Sequence, residues 1–201
     1  MNEERAKEIS YEKKEGVEKL PEGGDFFWRD VIRFTLIAIC IVLPIRIFII
    51  QPFIVSGASM HPTFETGDYL IVDEIGYRLQ EPTRGEVVIF KYPNDPSKFF
   101  IKRIIGLPGE TLQSVNGALV IKDAVGNKQA LNEAYLHELP KDTFSITLTN
   151  DEYFVMGDNR GASFDSRIWG ALPRHFIVGR AWVRLFPLSE IGVWPGISVR
   201  Q

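Results

Sequence analysis

Cysteine is almost missing from these 201 residues: Cys40 stands alone, inside an apolar segment. A single thiol cannot close a disulfide within the chain or build a thiolate metal site, so neither framework is available. Histidine is nearly as scarce. His61, His137 and His175 lack metal-ligand spacing such as His-Glu-x-x-His, so no metal and no cofactor is expected. Positive charge is not in excess either. With 23 Lys and Arg against 26 Asp and Glu the formal net charge is -3, and nothing supplies the basic footprint that a nucleic-acid partner requires. What is present is 45% hydrophobic residues, enough for one sizeable core with a small second lobe.

One long apolar run, VIRFTLIAICIVLPIRIFII from Val31 to Ile50, stands out. Roughly 20 residues make a helix of roughly 30 Å, the thickness of a hydrocarbon core. Arg33 and Arg46 lie near its ends, where they can snorkel to headgroups, and Pro44 can kink the outer turn. The uncharged stretch Phe34 to Ile45 alone would also suit a buried core helix, but the surrounding sequence offers no other helices long enough to bury it. Arg5, Lys7, Lys13, Lys14, Lys19 and Arg29 precede the run, and after Arg46 no Lys or Arg appears before Arg78. That bias predicts a cytoplasmic N-terminus. The expected organisation is a cytoplasmic polar tail (1–28), one transmembrane helix (29–50) and an extracytoplasmic domain (51–201) in the cell membrane, with membrane lipid as a partner. A cleavable signal peptide is the competing reading, because Ser56-Gly57-Ala58 resembles a small-x-small cleavage site; the long acid-rich leader argues against it.

Beyond residue 50 the pattern predicts a mainly β, antiparallel domain. Short β-branched and aromatic runs recur between turn signals: Tyr69 to Val72, Glu86 to Lys91, Phe99 to Ile105, Leu119 to Lys122, Tyr153 to Met156 and Ile177 to Phe186. Asn116-Gly117 and Gly126-Asn127 are compact hairpin signals, which together suggest a small β lobe inserted at about 110–150.

A hydroxyl with reactive potential follows the apolar run, in Ser56-Gly57-Ala58-Ser59-Met60-His61-Pro62-Thr63. A serine alcohol is a poor nucleophile near neutral pH and needs a base close by. His61 is badly placed, two residues from Ser59 and directly before Pro62; His137 and His175 have nothing to favour them over ordinary surface histidines. Lys102 is the stronger candidate. It sits in the apolar strand Phe99-Phe100-Ile101-Lys102-Arg103-Ile104-Ile105, on the face opposite Ile101 and Arg103, and burial there would disfavour its ammonium form. A surface lysine on an edge strand is the alternative.

Downstream, Gly157-Asp158-Asn159-Arg160-Gly161-Ala162-Ser163-Phe164-Asp165-Ser166-Arg167 gathers acids, arginines and hydroxyls in one loop. The ordered set of Gly57 to Thr63, Phe100 to Gly109 and Gly157 to Arg167 resembles bacterial type I signal peptidase, a membrane-anchored Ser-Lys endopeptidase that removes signal peptides from exported preproteins. The resemblance implies Ser59 as the acylating nucleophile, Lys102 as general base and Ser163 as the hydroxyl that orients the lysine. It implies Asp158 paired with Arg103, and Asp165 with Arg167, as structural support. It also implies an oxyanion donor in the Ser59 backbone N–H, and pockets for small residues at the first and third positions before the cut around Phe53, Val55 and Ile101. Gly57 stands where one branch of the family has a serine, which leaves the second oxyanion donor open. Two other readings remain: a different Ser-Lys self-processing peptidase, and an inactive membrane-anchored β module that binds exported peptides. A cut after Ala58 by the enzyme itself is a further expectation.

Overall fold

The computed structural model describes residues 23–48, 50–115, 118–123, 125–136 and 142–196. Helix α1 (Gly23–Phe48) carries the apolar run. It begins ahead of the expected residue 29, because Asp25-Phe26-Phe27-Trp28 holds no breaker and an established helix propagates back to the Gly23-Gly24 pair. It stops short of the expected residue 50, since Ile50 already opens a strand. Apolar side chains from Phe27 to Val42 are exposed along it. Among the described residues no helix is long and apolar enough to cross a membrane.

The chain divides into two units between Leu43 and Pro44. In the second, β1 (Ile50–Ile54), β2 (Tyr69–Asp73), β3 (Val87–Tyr92), β4 (Asp95–Gly106), β9 (Glu152–Met156), β10 (Leu172–Pro173) and β11 (Ile177–Phe186) form one sheet in the order β1-β2-β11-β3-β4-β9-β10, and β12 (Gly192–Val193) adds to β11. Each pairing is antiparallel, as the sequence pattern predicts. Val87 to Phe90 are buried in succession, which suits a strand covered on both faces in the middle of the sheet. Between β4 and β9 the chain leaves to build a second sheet, β7-β6-β5-β8, from β5 (Thr111–Val115), β6 (Ala118–Lys122), β7 (Lys128–Ala130) and β8 (Phe144–Thr147). Val115 pairs with Ala118 across the Asn116-Gly117 signal, which lies outside the described residues, as does His137. At Gly126-Asn127 the turn is organised by Asp123, whose Oδ1 accepts the amides of Val125, Gly126 and Asn127.

Two apolar clusters position the site. Val55, Met60, Phe64, Leu70, Val72, Val87 and Ile89 pack beneath the loop that bears Ser59. Met60 and Phe64, both fully buried, anchor that loop from either side of the cis His61–Pro62 bond; burying each contributes about 2 to 3 kcal/mol. A second cluster of Ile105, Leu112, Leu119, Phe154 and Met156 joins the two sheets. Gly106 lies at this seam, where any Cβ would run into Leu112 and Leu148.

Candidate active site

Lys102 and Arg103 are consecutive on β4, and strand alternation sends them to opposite faces. On one face the Lys102 ammonium nitrogen lies 2.7 Å from Ser59 Oγ and 3.0 Å from the Ile101 carbonyl oxygen. Lys102 is 4% exposed. Burial pulls its pKa down to about 8, against the opposing pull of Asp165 and Asp158. An amine at that level is neutral in roughly a tenth to a fifth of molecules near physiological pH, against about one in a thousand for an exposed lysine, and in that form can accept the proton of a hydroxyl in contact with it.

Phe53, Val55 and Ile101 line a groove of about 340 Å³ that opens onto Ser59 and Lys102. The buried Leu70 and Ile89 also line it, so the groove beside the serine is largely apolar. Such a surface admits small side chains and excludes bulky ones by overpacking.

On the other face Arg103 is sealed in. Its guanidinium meets Asp158 through Nε to Oδ1 at 2.8 Å and a terminal nitrogen to Oδ2 at 2.5 Å, and it also donates to the Gly85 and Gly196 carbonyls. Thr63 donates to Asp158 Oδ2 at 2.5 Å, which ties the Ser59 loop to this pair. Asp165 holds Arg167 through Oδ1 at 2.8 Å and Oδ2 at 2.9 Å, and accepts the Gly157 amide at 3.1 Å. Burial would raise the Asp165 carboxyl, but hydrogen bonds from Arg167 and Ser163 hold it below the usual carboxylate range.

Ser163 is buried beside Gly157 in the same loop. Its hydroxyl accepts the Gly157 amide at 3.2 Å and bonds to Asp165, while the two hydrogen bonds of Lys102 go to Ser59 and Ile101. The two described histidines have other neighbours: exposed His61 lies 3.8 Å from Glu65, and the His175 ring packs against Phe176. Gly57 has φ +99 and its amide is occupied by Thr66 Oγ1 at 3.1 Å, so glycine there answers a backbone requirement.

Several residues escaped the sequence reading. Gly157 touches Ser59 and Ser163 so closely that a methyl group would overlap the Ser59 carbonyl oxygen and the Ser163 hydroxyl. Asn159 holds the Ser59 loop, donating its backbone N–H to Ser59 O at 3.0 Å and its amide nitrogen to Ala58 O at 3.1 Å. Arg160 is buried against Glu133 of the inserted lobe, with Tyr135 stacked on Arg103 at 4.3 Å. The Gly157-Asp158-Asn159-Arg160 run was a signal for a structured loop, but its partners come from far along the chain.

The sequence profile for signal peptidase, peptidase S26, matches residues 28–186. The chain belongs to that family. Among the curated relatives of this peptidase, "Probable signal peptidase I-2" of Synechocystis is 35% identical over 181 residues, spanning 87% of this chain and 80% of that one. The signal peptidase I of Leptolyngbya laminosa is 38% identical over 165 residues, 78% of each chain. A crystal structure of a signal peptidase I from Enterococcus faecalis V583 is 29% identical, covers 50% of this chain and 97% of that one, and superposes with a TM-score of 0.44. The resemblance seen in the sequence is therefore borne out, and this member of the signal peptidase family is a serine endopeptidase.

Proposed function

We propose that this peptidase removes signal peptides from exported preproteins with Ser59 as nucleophile and Lys102 as general base. The observation that carries the reading is the 2.7 Å contact between Lys102 Nζ and Ser59 Oγ, made by an amine that is almost wholly buried. In the first step Ser59 Oγ attacks the scissile carbonyl carbon as its proton passes to Lys102. The carbonyl oxygen takes up the negative charge beside the Ser59 N–H, a donor of the kind worth about 3 to 4 kcal/mol in acyl transfer. Collapse of the tetrahedral intermediate breaks the C–N bond, and the Lys102 ammonium returns the proton to the departing amine. Lys102 then deprotonates a water that hydrolyses the acyl-enzyme, restoring the serine hydroxyl.

Phe53, Val55 and Ile101 hold the small residues before the cut; Arg103 with Asp158 and Asp165 with Arg167 fix the loop, and the Ser163 hydroxyl orients the lysine amine. The apolar run from Val31 to Ile50, taken over its whole length in the sequence, serves as a cell-membrane anchor with the N-terminus cytoplasmic, by the bias of Lys and Arg ahead of it. Its exposed apolar side chains support that reading, since an apolar surface on every side is suited to lipid rather than water. The test is preprotein cleavage in detergent with the product N-terminus sequenced. Wild type cuts after a small residue, and Ser59→Ala and Lys102→Ala leave the preprotein intact; cleavage by Ser59→Ala at the wild-type rate contradicts the assignment.

A further inference from the structure

The two strands that floor the apolar groove continue past it. Ile89 and Ile101 are cross-strand partners, and the next pair on the same face, two residues along each strand, is Lys91 and Phe99. Along β1 the same two-residue step leads from Val55 and Phe53 to Gln51. Gln51, Lys91 and Phe99 meet in a second cavity of about 370 Å³, closed by Glu74, Tyr77 and Arg78, with Arg174 also on its wall. Phe99 belongs to both cavities, so the second is the extension of the first.

At this step the chemistry changes from apolar to cationic. Three of the lining residues are Lys91, Arg78 and Arg174, against a single acid, Glu74. Arg174 is engaged by Glu81 at 3.0 Å and by the Tyr77 carbonyl. Lys91 and Arg78 are exposed and face Glu74, whose carboxyl is raised by burial above its usual value. Glu74 Oε1 is shielded from solvent and has no hydrogen-bond partner, and one carboxylate acts on both cations, so the cavity keeps an excess of positive charge.

We infer that this second cavity is a subsite for the fifth residue before the cut, selecting a side chain that carries an anionic or hydrogen-bond-accepting group and disfavouring Lys or Arg. The inference rests on the proposed assignment of the first and third residues to the apolar groove. In an extended chain the first, third and fifth side chains share one face, and four residues span about 13 Å, the same number of steps as from Val55, just past β1, back to Gln51. The fifth side chain therefore arrives over Phe99, with Lys91 and Arg78 as its nearest charges. The contact is solvent-open, which limits each charge pair to roughly a two- to fivefold effect and makes it sensitive to salt.

The experiment compares preprotein substrates identical except for Glu, Ala or Lys at the fifth position before the cut, using wild type, Lys91→Gln and Lys91→Glu. Wild type is expected to cleave the Glu substrate roughly four- to twentyfold more efficiently than the Lys substrate in low salt, chiefly through KM, with the ratio shrinking in high salt. Lys91→Gln should reduce the Glu-to-Lys ratio and Lys91→Glu should reduce it further, to about one or below. Equal ratios in all three enzymes overturn the subsite and leave the Ser59 and Lys102 assignment standing. A wild-type enzyme that cleaves none of the substrates, although it is folded, overturns both.

Discussion

Lys102 and Arg103 differ by one position on β4 and are buried to nearly the same extent, at 4% and 1% exposure, yet their surroundings are opposite in kind. Arg103 has a carboxylate in two-pronged contact and further carbonyl acceptors. Lys102 has a hydroxyl and a carbonyl, with its nearest carboxylates acting only through space. A cation whose partners are satisfied holds a structure together, whereas one left short of a counter-charge tends to release its proton and becomes a base. One strand thus carries a structural cation on one side and a reactive amine on the other.

Replacing Lys102 by Met should break the comparison most visibly. Preprotein cleavage should fall roughly ten-thousandfold, the scale of removing the base in serine acyl transfer. Stability at pH 7 should meanwhile rise, because the folded state holds Lys102 with a pKa of about 8 against about 10.4 for an exposed lysine. The unfolded chain binds the extra proton between those values, so wild-type stability climbs with pH from about 8 to about 10.4 and carries the full penalty below 8, on the order of 3 kcal/mol. Denaturant unfolding across that range should show the slope in wild type and its loss in Lys102→Met. On the opposite face, Asp158→Ala strands a buried guanidinium and should cost about 3 to 5 kcal/mol in the same measurement.

Smaller effects sharpen the difference. Gly157→Ala should lower kcat roughly a hundredfold while circular dichroism stays native, since the added methyl must displace Ser59 or Ser163. Ser163→Ala should lower turnover about fivefold, the value of one hydrogen bond, if its hydroxyl orients the base without taking part in proton transfer. An effect as large as that of Lys102→Met would assign Ser163 a direct part in proton transfer.

Much of this was legible in the sequence where a local pattern carries it. The six apolar runs found strands because burial repeats along a strand, and Val87 to Phe90 show it most clearly. Ser59 and Lys102 could be paired because the ordered motif set resembles a family in which a serine and a lysine work together; the apolar strand alone left a surface lysine open. The start of β1 was hidden, since Ile50 continues the apolar run of α1 and hydrophobicity alone does not mark where helix gives way to strand. β7, exposed throughout, offered no burial signal. The hydroxyl of Ser163 turned to Asp165, and Arg160 found Glu133, because such choices depend on neighbours that only the folded chain brings together.

The pH dependence of kcat/KM for preprotein cleavage tests the reactive amine most directly, since it reports the free enzyme's base. The rate should rise tenfold per pH unit and level off through an apparent pKa of about 8, with that rise absent from the residual activity of Lys102→Met. A profile flat from pH 6 to 9, or one that rises only near the pKa of an exposed lysine, contradicts Lys102 as the base.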